Sequence, residues 1–307
     1  MMELPFHTLD VFTDRVFGGN PLAVFPDATH LPTDLMQRIA REMNLSETVF
    51  LGPPETGDAT ARVRIFTPAV EVPFAGHPTI GAAVFLAGRR EHDQDAGSDR
   101  VTLRLEENVG PIPVEVRYEG ERPVFARFTT AVLPEHRPCP HALAELASLV
   151  GLEPTDIGTD GLEPEMVSCG LPFVVIPVRK LDAVRRAALD MERWSRTLSA
   201  SWAPHLYLVS TEAEGEGVDL HVRMFAPGAG VAEDPATGSA AAALAGYLSA
   251  ADGRPDGSLS WTLEQGLEVG RPSLLYAEAD RTGGRTVAVR VGGHAVAVTR
   301  GAMVIPD

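Results

Sequence analysis

Two stretches of this chain carry the same passage. Arg64-Ile65-Phe66-Thr67-Pro68 leads through Glu71-Val72-Pro73-Phe74-Ala75 to Gly76-His77-Pro78-Thr79 and an apolar run from Ile80 to Leu86. Arg223-Met224-Phe225-Ala226-Pro227 leads through Glu233-Asp234-Pro235-Ala236-Thr237 to Gly238-Ser239 and an apolar run from Ala240 to Leu248. In each copy a strand ends in Phe-x-Pro, an acidic turn follows, and a glycine opens a helix. The copies keep this scaffold and differ in polar residues: His77 follows the first glycine, Ser239 the second, and only the second turn holds an Asp, Asp234. Such a duplication suggests one site built from two halves.

Shorter blocks extend the repeat. Gly19-Asn20-Pro21-Leu22-Ala23-Val24-Phe25 resembles Gly170-Leu171-Pro172-Phe173-Val174-Val175-Ile176, and Thr48-Val49-Phe50-Leu51 aligns loosely with Leu206-Tyr207-Leu208-Val209. The offset drifts from about 151 residues (Gly19 to Gly170) to about 162 (Gly76 to Gly238). A period of this size means two related domains, not a solenoid of short units.

The apolar runs constrain the architecture further. Segments Pro78 to Ala87 and Ser239 to Leu248 are apolar all round, yet far shorter than the roughly 18 residues a membrane span needs. Each must be buried on every side, which a curled sheet wrapped around it achieves. Strands to form that sheet are predicted at Phe6–Phe12, Leu22–Phe25, Thr48–Leu51, Ala61–Phe66, Val101–Leu105, Ile112–Tyr118 and Val124–Phe128. The second half supplies Phe173–Val178, Leu206–Val209, Val218–Phe225, Leu274–Ala279, Arg285–Val291 and His294–Val298. Further helices are expected at Asp34–Met43 with Thr33 as N-cap, at His141–Val150 and at Asp190–Ala200. Glu91–Arg100 reads as a polar loop and the proline-rich Leu133–Pro140 as the linker. Asp280–Gly284 and Gly292-Gly293 read as hairpin turns.

Composition narrows the function. With 307 residues the chain has room for two cores, and a net charge of −16 with no basic patch argues against a nucleic-acid partner. Cys139 and Cys169 lack C-x-x-C spacing, so neither a disulfide framework nor a metal site is indicated. No signal peptide or membrane span is visible, and a cytoplasmic location is the expectation.

Unpaired amides at a helix start carry the positive end of the helix dipole, and Gly76 and Gly238 let a ligand approach them without a Cβ in the way. Each motif alone reads more readily as a plain helix cap, but two such starts together suit an acidic small molecule. His77, beside the first start, is biased toward the neutral imidazole that can give or take a proton. Asp234 and Ser239 are candidates for the same site, or caps of the second helix. A hydrolase triad of His77, Asp234 and Ser239 is disfavoured, because no G-x-S-x-G elbow is present. Glu47 enters a buried strand from the polar turn Asn44-Leu45-Ser46; a carboxyl at the edge of an apolar core can shuttle a proton, and from position alone a solvated turn glutamate reads equally well.

Five blocks, in order along the chain, resemble the PhzF family of isomerase-like proteins: Asp10-Val11-Phe12-Thr13, Phe17 to Val24, Asn44 to Phe50, Phe74 to Thr79, and Glu233 to Ala240. The resemblance implies the diaminopimelate epimerase-like α+β fold of two pseudo-symmetric domains, each a curled, barrel-like sheet around a central buried helix. It implies an active site in the cleft between them. The halves are assigned as 1–132 and 133–307, with the last residues of the chain as a candidate completion of the first. The resemblance makes Glu47 the acid–base group of a proton transfer on a cyclic unsaturated amino acid, with no cofactor and no metal. His77, Asp234 and Ser239 assist, while Gly76, Gly238, Ser46 and Asn20 bind the substrate. A homodimer is expected on the same ground. Related racemases use a cysteine at each helix start; here Ala75 and Asp234-Pro235 stand near those places, so a two-thiol mechanism is not expected. The alternatives are a binding protein of this fold without turnover and, behind it, a hydrolase.

Overall fold

The structure is a computed structural model that describes residues 2–28, 31–89, 98–159 and 161–305. The segment read as a polar loop, Glu91 to Arg100, lies mostly outside these residues; Arg100 itself opens a strand. The chain divides into two compact units, Met1–Ala131 with Gly292–Asp307, and Val132–Val291. The second unit therefore ends at Val291, and the last residues of the chain belong to the first.

The first unit contains β1 (Met2–Val11), β2 (Asn20–Phe25), α1 (Thr33–Met43), β3 (Glu47–Gly52), β4 (Ala61–Phe66), β5 (Glu71–Val72), α2 (Gly76–Gly88), β6 (Arg100–Glu107), β7 (Gly110–Glu119) and β8 (Arg122–Thr129). The second contains β9 (Glu135–Pro138), α3 (Leu143–Leu149), β10 (Glu165–Ser168), β11 (Pro172–Pro177), α4 (Leu181–Arg186), α5 (Met191–Thr197), β12 (His205–Ser210), β13 (Leu220–Ala226), β14 (Val231–Asp234), α6 (Gly238–Ala251), β15 (Gly257–Gln265) and β16 (Ser273–Thr282). The last strand, β17 (Arg285–Ile305), begins in the second unit and ends in the first.

In the first unit β1, β2, β3, β4, β6, β7, β8 and β17 pair in a ring that closes where β17 returns to β1. The steps β2–β3 and β4–β6 are parallel, so each needs a crossover. The amphipathic α1 makes the first; Met36, Ile39 and Ala40 face Phe25, Phe50 and Phe66, whose rings pack at 5.1 and 5.4 Å. The all-apolar α2 makes the second and packs against β1, β2, β3, β6, β7 and β8, strands from around the ring. It is the buried central helix its composition requires.

The second unit repeats this plan. Its β11–β12 and β13–β15 steps are parallel, α4 and α5 cross the first, and α6 crosses the second. The helix α6 packs against β10, β11, β15 and β16. Registers fix the equivalence residue by residue: Leu22 pairs with Glu47 in parallel as Phe173 pairs with His205, and Thr48 opposes Phe66 as Leu206 opposes Phe225. The two shorter sequence blocks thus superpose as aligned. The architecture is α+β, a curled sheet around a buried helix in each unit.

Several expectations need correction. Gly292-Gly293 is no turn, because β17 runs straight through it. A Cβ on Gly292 would stand 2.6 Å from the Phe125 ring and 3.0 Å from the Ala126 carbonyl, so this glycine serves close strand packing. The stretch read as a linker contains β9, which pairs antiparallel with β10; its prolines tolerate an edge position. Thr33 is the first helical residue and not the cap. Its Oγ1 instead accepts a hydrogen bond from Arg64 Nη2 at 3.0 Å. Helix α5 is capped by Asp190, whose Oδ1 accepts from the Glu192 and Arg193 amides.

Candidate active site

A matching clamp sets the start of each central helix. Arg64 on β4 grips Glu71 on β5 through Nε–Oε1 at 2.8 Å and Nη2–Oε2 at 2.7 Å. Arg223 on β13 grips Glu233 on β14 with the same atoms at the same two distances. These bidentate pairs are the geometry a planar guanidinium favours, and they bind the strand end of the Phe-x-Pro passage to the turn after it. The Arg64 guanidinium also holds the Glu71 carboxyl below its ordinary range. Both clamps were visible in the repeated passage, where Arg64 and Arg223 precede Glu71 and Glu233, but nothing in either motif names them as partners.

In the first unit, Asn44 ends α1 in the left-handed conformation at φ 50° and turns the chain through Leu45 and Ser46 into β3. That turn places Glu47 at the strand's first residue. Its Oε2 lies 3.4 Å from Nδ1 of His77 in the first turn of α2. The sequence-predicted Glu47 and His77 are therefore neighbours, with Gly76 adjacent in the chain. Glu47 and Ser46 are half-buried, and Asn20 is buried at the start of β2. Burial holds the His77 imidazole down to about 3, so it is neutral at pH 7. A neutral ring with Nδ1–H toward the acceptor Glu47 leaves Nε2 as an acceptor, and that buried atom has no partner among the described residues.

In the second unit the start of α6 gathers Asp234, Gly238 and Ser239, all buried. Asp234 is not the cap of α6. Its Oδ2 accepts a 2.6 Å hydrogen bond from the Thr237 hydroxyl. Gln265, the last residue of β15, completes the arrangement. Its Nε2 donates to Asp234 O at 2.7 Å and to Thr237 Oγ1 at 3.0 Å, while its Oε1 accepts from the Thr237 amide at 3.2 Å. Among the described residues, neither N-cap residue, Ala75 of α2 nor Thr237 of α6, caps its helix with a side-chain hydrogen bond. The register that equates the repeats puts His205 where the first unit has Glu47, so the carboxyl of the Glu47–His77 pair is not duplicated.

Sequence reasoning missed Thr237 and Gln265. The signal that finds Gln265 is the repeat itself: Glu264-Gln265 ends β15 as Glu106-Glu107 ends β6. Tight packing fixes the place where Gln265 hands over to Gly266. That glycine has φ +81°, and a Cβ there would stand 2.4 Å from Arg271 O and 2.5 Å from Pro235 O. We expect Gly266→Ala to cost at least about 2 kcal/mol, from the left-handed backbone and the two carbonyl clashes. A denaturant titration checks this; an unshifted midpoint rejects it.

Neither cysteine stands at a helix start. Cys169 lies 3.4 Å from Ala242 O within the second unit, and burial pushes its thiol up to about 12. Among the described residues no group of three side chains is placed to hold a metal ion, and no helix is long and apolar enough to cross a membrane.

The family model for phenazine biosynthesis-like proteins, PhzC-PhzF, matches residues 9–301. The chain belongs to the PhzF family. It is 43% identical to an uncharacterized isomerase of Mesorhizobium japonicum, over 96% of this chain and 97% of that one. It is 37% identical to the trans-2,3-dihydro-3-hydroxyanthranilate isomerase of Pseudomonas aeruginosa, over 95% and 96% of the two chains. Among solved structures, the PhzF-family protein of Bacillus anthracis superposes with a TM-score of 0.88 at 27% identity, covering 99% of this chain and all of that one. The curled sheet about a central helix is thus the diaminopimelate epimerase-like arrangement of a PhzF-family isomerase.

Proposed function

We propose that this PhzF-family isomerase moves a proton between carbons of a small metabolite bearing a carboxyl group, without a bound cofactor. Glu47 takes the proton from one carbon and returns it to another. The observation that carries this reading is the Glu47–His77 pair at the start of α2: a carboxyl with a neutral imidazole 3.4 Å away. A carboxylate whose neighbour is uncharged keeps its basicity, whereas an imidazolium there would weaken it. His77 then orients Glu47 through Nδ1.

Loss of a proton from carbon conjugated with a carboxyl group builds negative charge on the carboxyl oxygens. Amides at the helix starts, at Gly76 and Gly238, are free of a side-chain cap from their N-cap residues and serve in this reading to stabilise that charge. Asp234 and Ser239 assist as hydrogen-bonding groups that hold the substrate's polar substituents, and Ser46 and Asn20 complete the recognition set. The isomerase of trans-2,3-dihydro-3-hydroxyanthranilate among the relatives supports a cyclic, unsaturated amino acid as the substrate class.

The test is deuterium uptake. The protein is incubated in D₂O with trans-2,3-dihydro-3-hydroxyanthranilate and a panel of cyclic and acyclic amino and hydroxy acids, and products are read by mass spectrometry. Uptake into a ring-bearing acid is expected. No uptake across the panel would overturn the proposal in favour of a binding protein.

A further inference from the structure

Glu107, the last residue of β6, is a buried carboxyl that the proton transfer does not use. Its Oε1 lies 2.6 Å from Thr79 Oγ1, and the same Thr79 oxygen lies 2.7 Å from the Ala75 carbonyl. A hydroxyl has one hydrogen and a carbonyl can only accept. If the Thr79 hydrogen serves Ala75, the contact with Glu107 needs a hydrogen from the carboxyl itself. The other oxygen, Oε2, has no partner among the described residues, which costs far less for the carbonyl of an acid than for a carboxylate.

The repeat supplies the independent observation. Arg62 pairs with Glu106 across β4 and β6 as His221 pairs with Glu264 across β13 and β15, so Glu107 corresponds to Gln265. Gln265 donates through Nε2 to the hydroxyl of Thr237, which hands its own hydrogen on to Asp234. Glu107 likewise meets a threonine hydroxyl at a helix start, here Thr79 in the first turn of α2 where the second repeat uses Thr237, the residue before α6. With the Thr79 hydrogen on the Ala75 carbonyl, the strand-end side chain is again the one that must donate. One repeat uses an amide where the other uses a carboxyl of the same shape. The two are equivalent donors only if the carboxyl keeps its proton.

We infer that Glu107 works as a neutral carboxylic acid and, through Thr79, is the positioning residue for the first turn of α2, which carries Gly76 and His77. The positioning role rests on the proposed proton transfer; the protonation does not.

The surroundings agree. Burial pushes the Glu107 carboxyl up from 4.5 to about 8, against a smaller opposing pull from the Arg62 charge; a hydrogen bond from Thr79 would pull the same way only if its hydrogen turned from Ala75 to Glu107. Arg62 is the cation that faces it from β4, where its Nη1 donates to Glu106 O. Arg64 on the same strand is neutralised by Glu71 of β5, which also accepts from Asn108. His77 of α2 is neutral through burial, and β7 presents Gly110 opposite Glu107. The sign follows from the raised value. The folded state binds this proton more tightly than the unfolded chain, so Glu107's contribution to stability is full below about 4.5 and is lost as pH rises through about 8.

The variants are Glu107→Gln, which copies the second repeat, and Glu107→Leu, which removes the donor. Difference infrared spectra of wild type against Glu107→Gln at pH 6 are expected to show a protonated-carboxyl C=O band that disappears by pH 9. The melting temperature of the wild type should fall across pH 6 to 9, that of Glu107→Gln should lack this component, and Glu107→Leu should be lower throughout. Exchange activity should be retained by Glu107→Gln with a flatter alkaline limb. Absence of the band, or parallel melting curves for wild type and Glu107→Gln, overturns the inference. So does a Glu107→Gln protein as impaired at pH 6 as Glu107→Leu. Infrared and melting data need no substrate, so failure of the panel in D₂O leaves this result standing on its own.

Discussion

Glu47→Gln lowers the rate of deuterium exchange by about 10³-fold or more, within the range set by loss of a positioned acid–base group. The amide has the shape of the carboxyl and can still meet His77 Nδ1, so α2 keeps its first turn and the protein keeps its melting temperature. What it lacks is a site that accepts a proton from carbon. The loss should fall on kcat with KM little changed, because the interaction removed is made only as the proton moves. Retained exchange in Glu47→Gln would place the base elsewhere, and His77 would be the first group to replace. A rise in KM at constant kcat would make Glu47 a binding group.

Arg223→Met destabilises the second unit by about 3–5 kcal/mol, the cost of leaving a buried ion without its partner. The side chain of Arg223 is 7% exposed and that of Glu233 13%. Besides the Glu233 clamp, Arg223 Nη1 donates to the carbonyls of Val184, Arg185 and Ala187 at 2.8, 3.1 and 2.7 Å. The methionine fills the volume of the stem but leaves a carboxylate and the Arg185 and Ala187 carbonyls without their donor, while Val184 O keeps the Ala187 amide. A fall in melting temperature of about 10 °C is expected for a unit of this size, read by calorimetry. The double variant Arg223→Met, Glu233→Met should recover much of the loss, since it removes the orphaned charge as well. A single variant within 2 °C of wild type, an outcome about one-fifth of the expected shift, would show the clamp to be dispensable.

What the sequence disclosed follows from where its signals were strong. The helices α2 and α6 stood out because an all-apolar segment of that length has one soluble solution, burial on every side. The strands of the repeated passages stood out because Phe-x-Pro ends them sharply. Strand β15, Gly257-Ser258-Leu259-Ser260-Trp261-Thr262-Leu263-Glu264-Gln265, went unread, since serines and glycine dilute its alternation. The Gly292-Gly293 pair misled because two glycines mark a turn as readily as a strand that must pass close to an aromatic ring. At the site, Glu47 and His77 were legible as residue types at chemically apt places, and the structure brings them within 3.4 Å. Glu107 and Gln265 carry no motif, and Thr79 and Thr237 sit inside one without being marked by it. Their meaning lies in which strand end meets which helix start, and only the three-dimensional register of the repeats supplies that.

The course of β17 has a further consequence. The tail that follows the last strand of the second repeat covers β1, and β9, which follows the last strand of the first repeat, covers β10. Each unit thus closes its opening strand with the tail that trails the other copy. A gene fragment for residues 1–131 encodes a barrel with one stave missing, and its product has open edges at β1 and β8 between which a second molecule's tail would fit. Two copies of a single ancestral repeat could satisfy each other in this way by trading tails. Fusion of the two genes then turns a trade between molecules, which dilution can undo, into one within a chain, which it cannot. The interleaved tails bind the halves into one heritable unit, so that either repeat can change its site residues only while the other continues to close it.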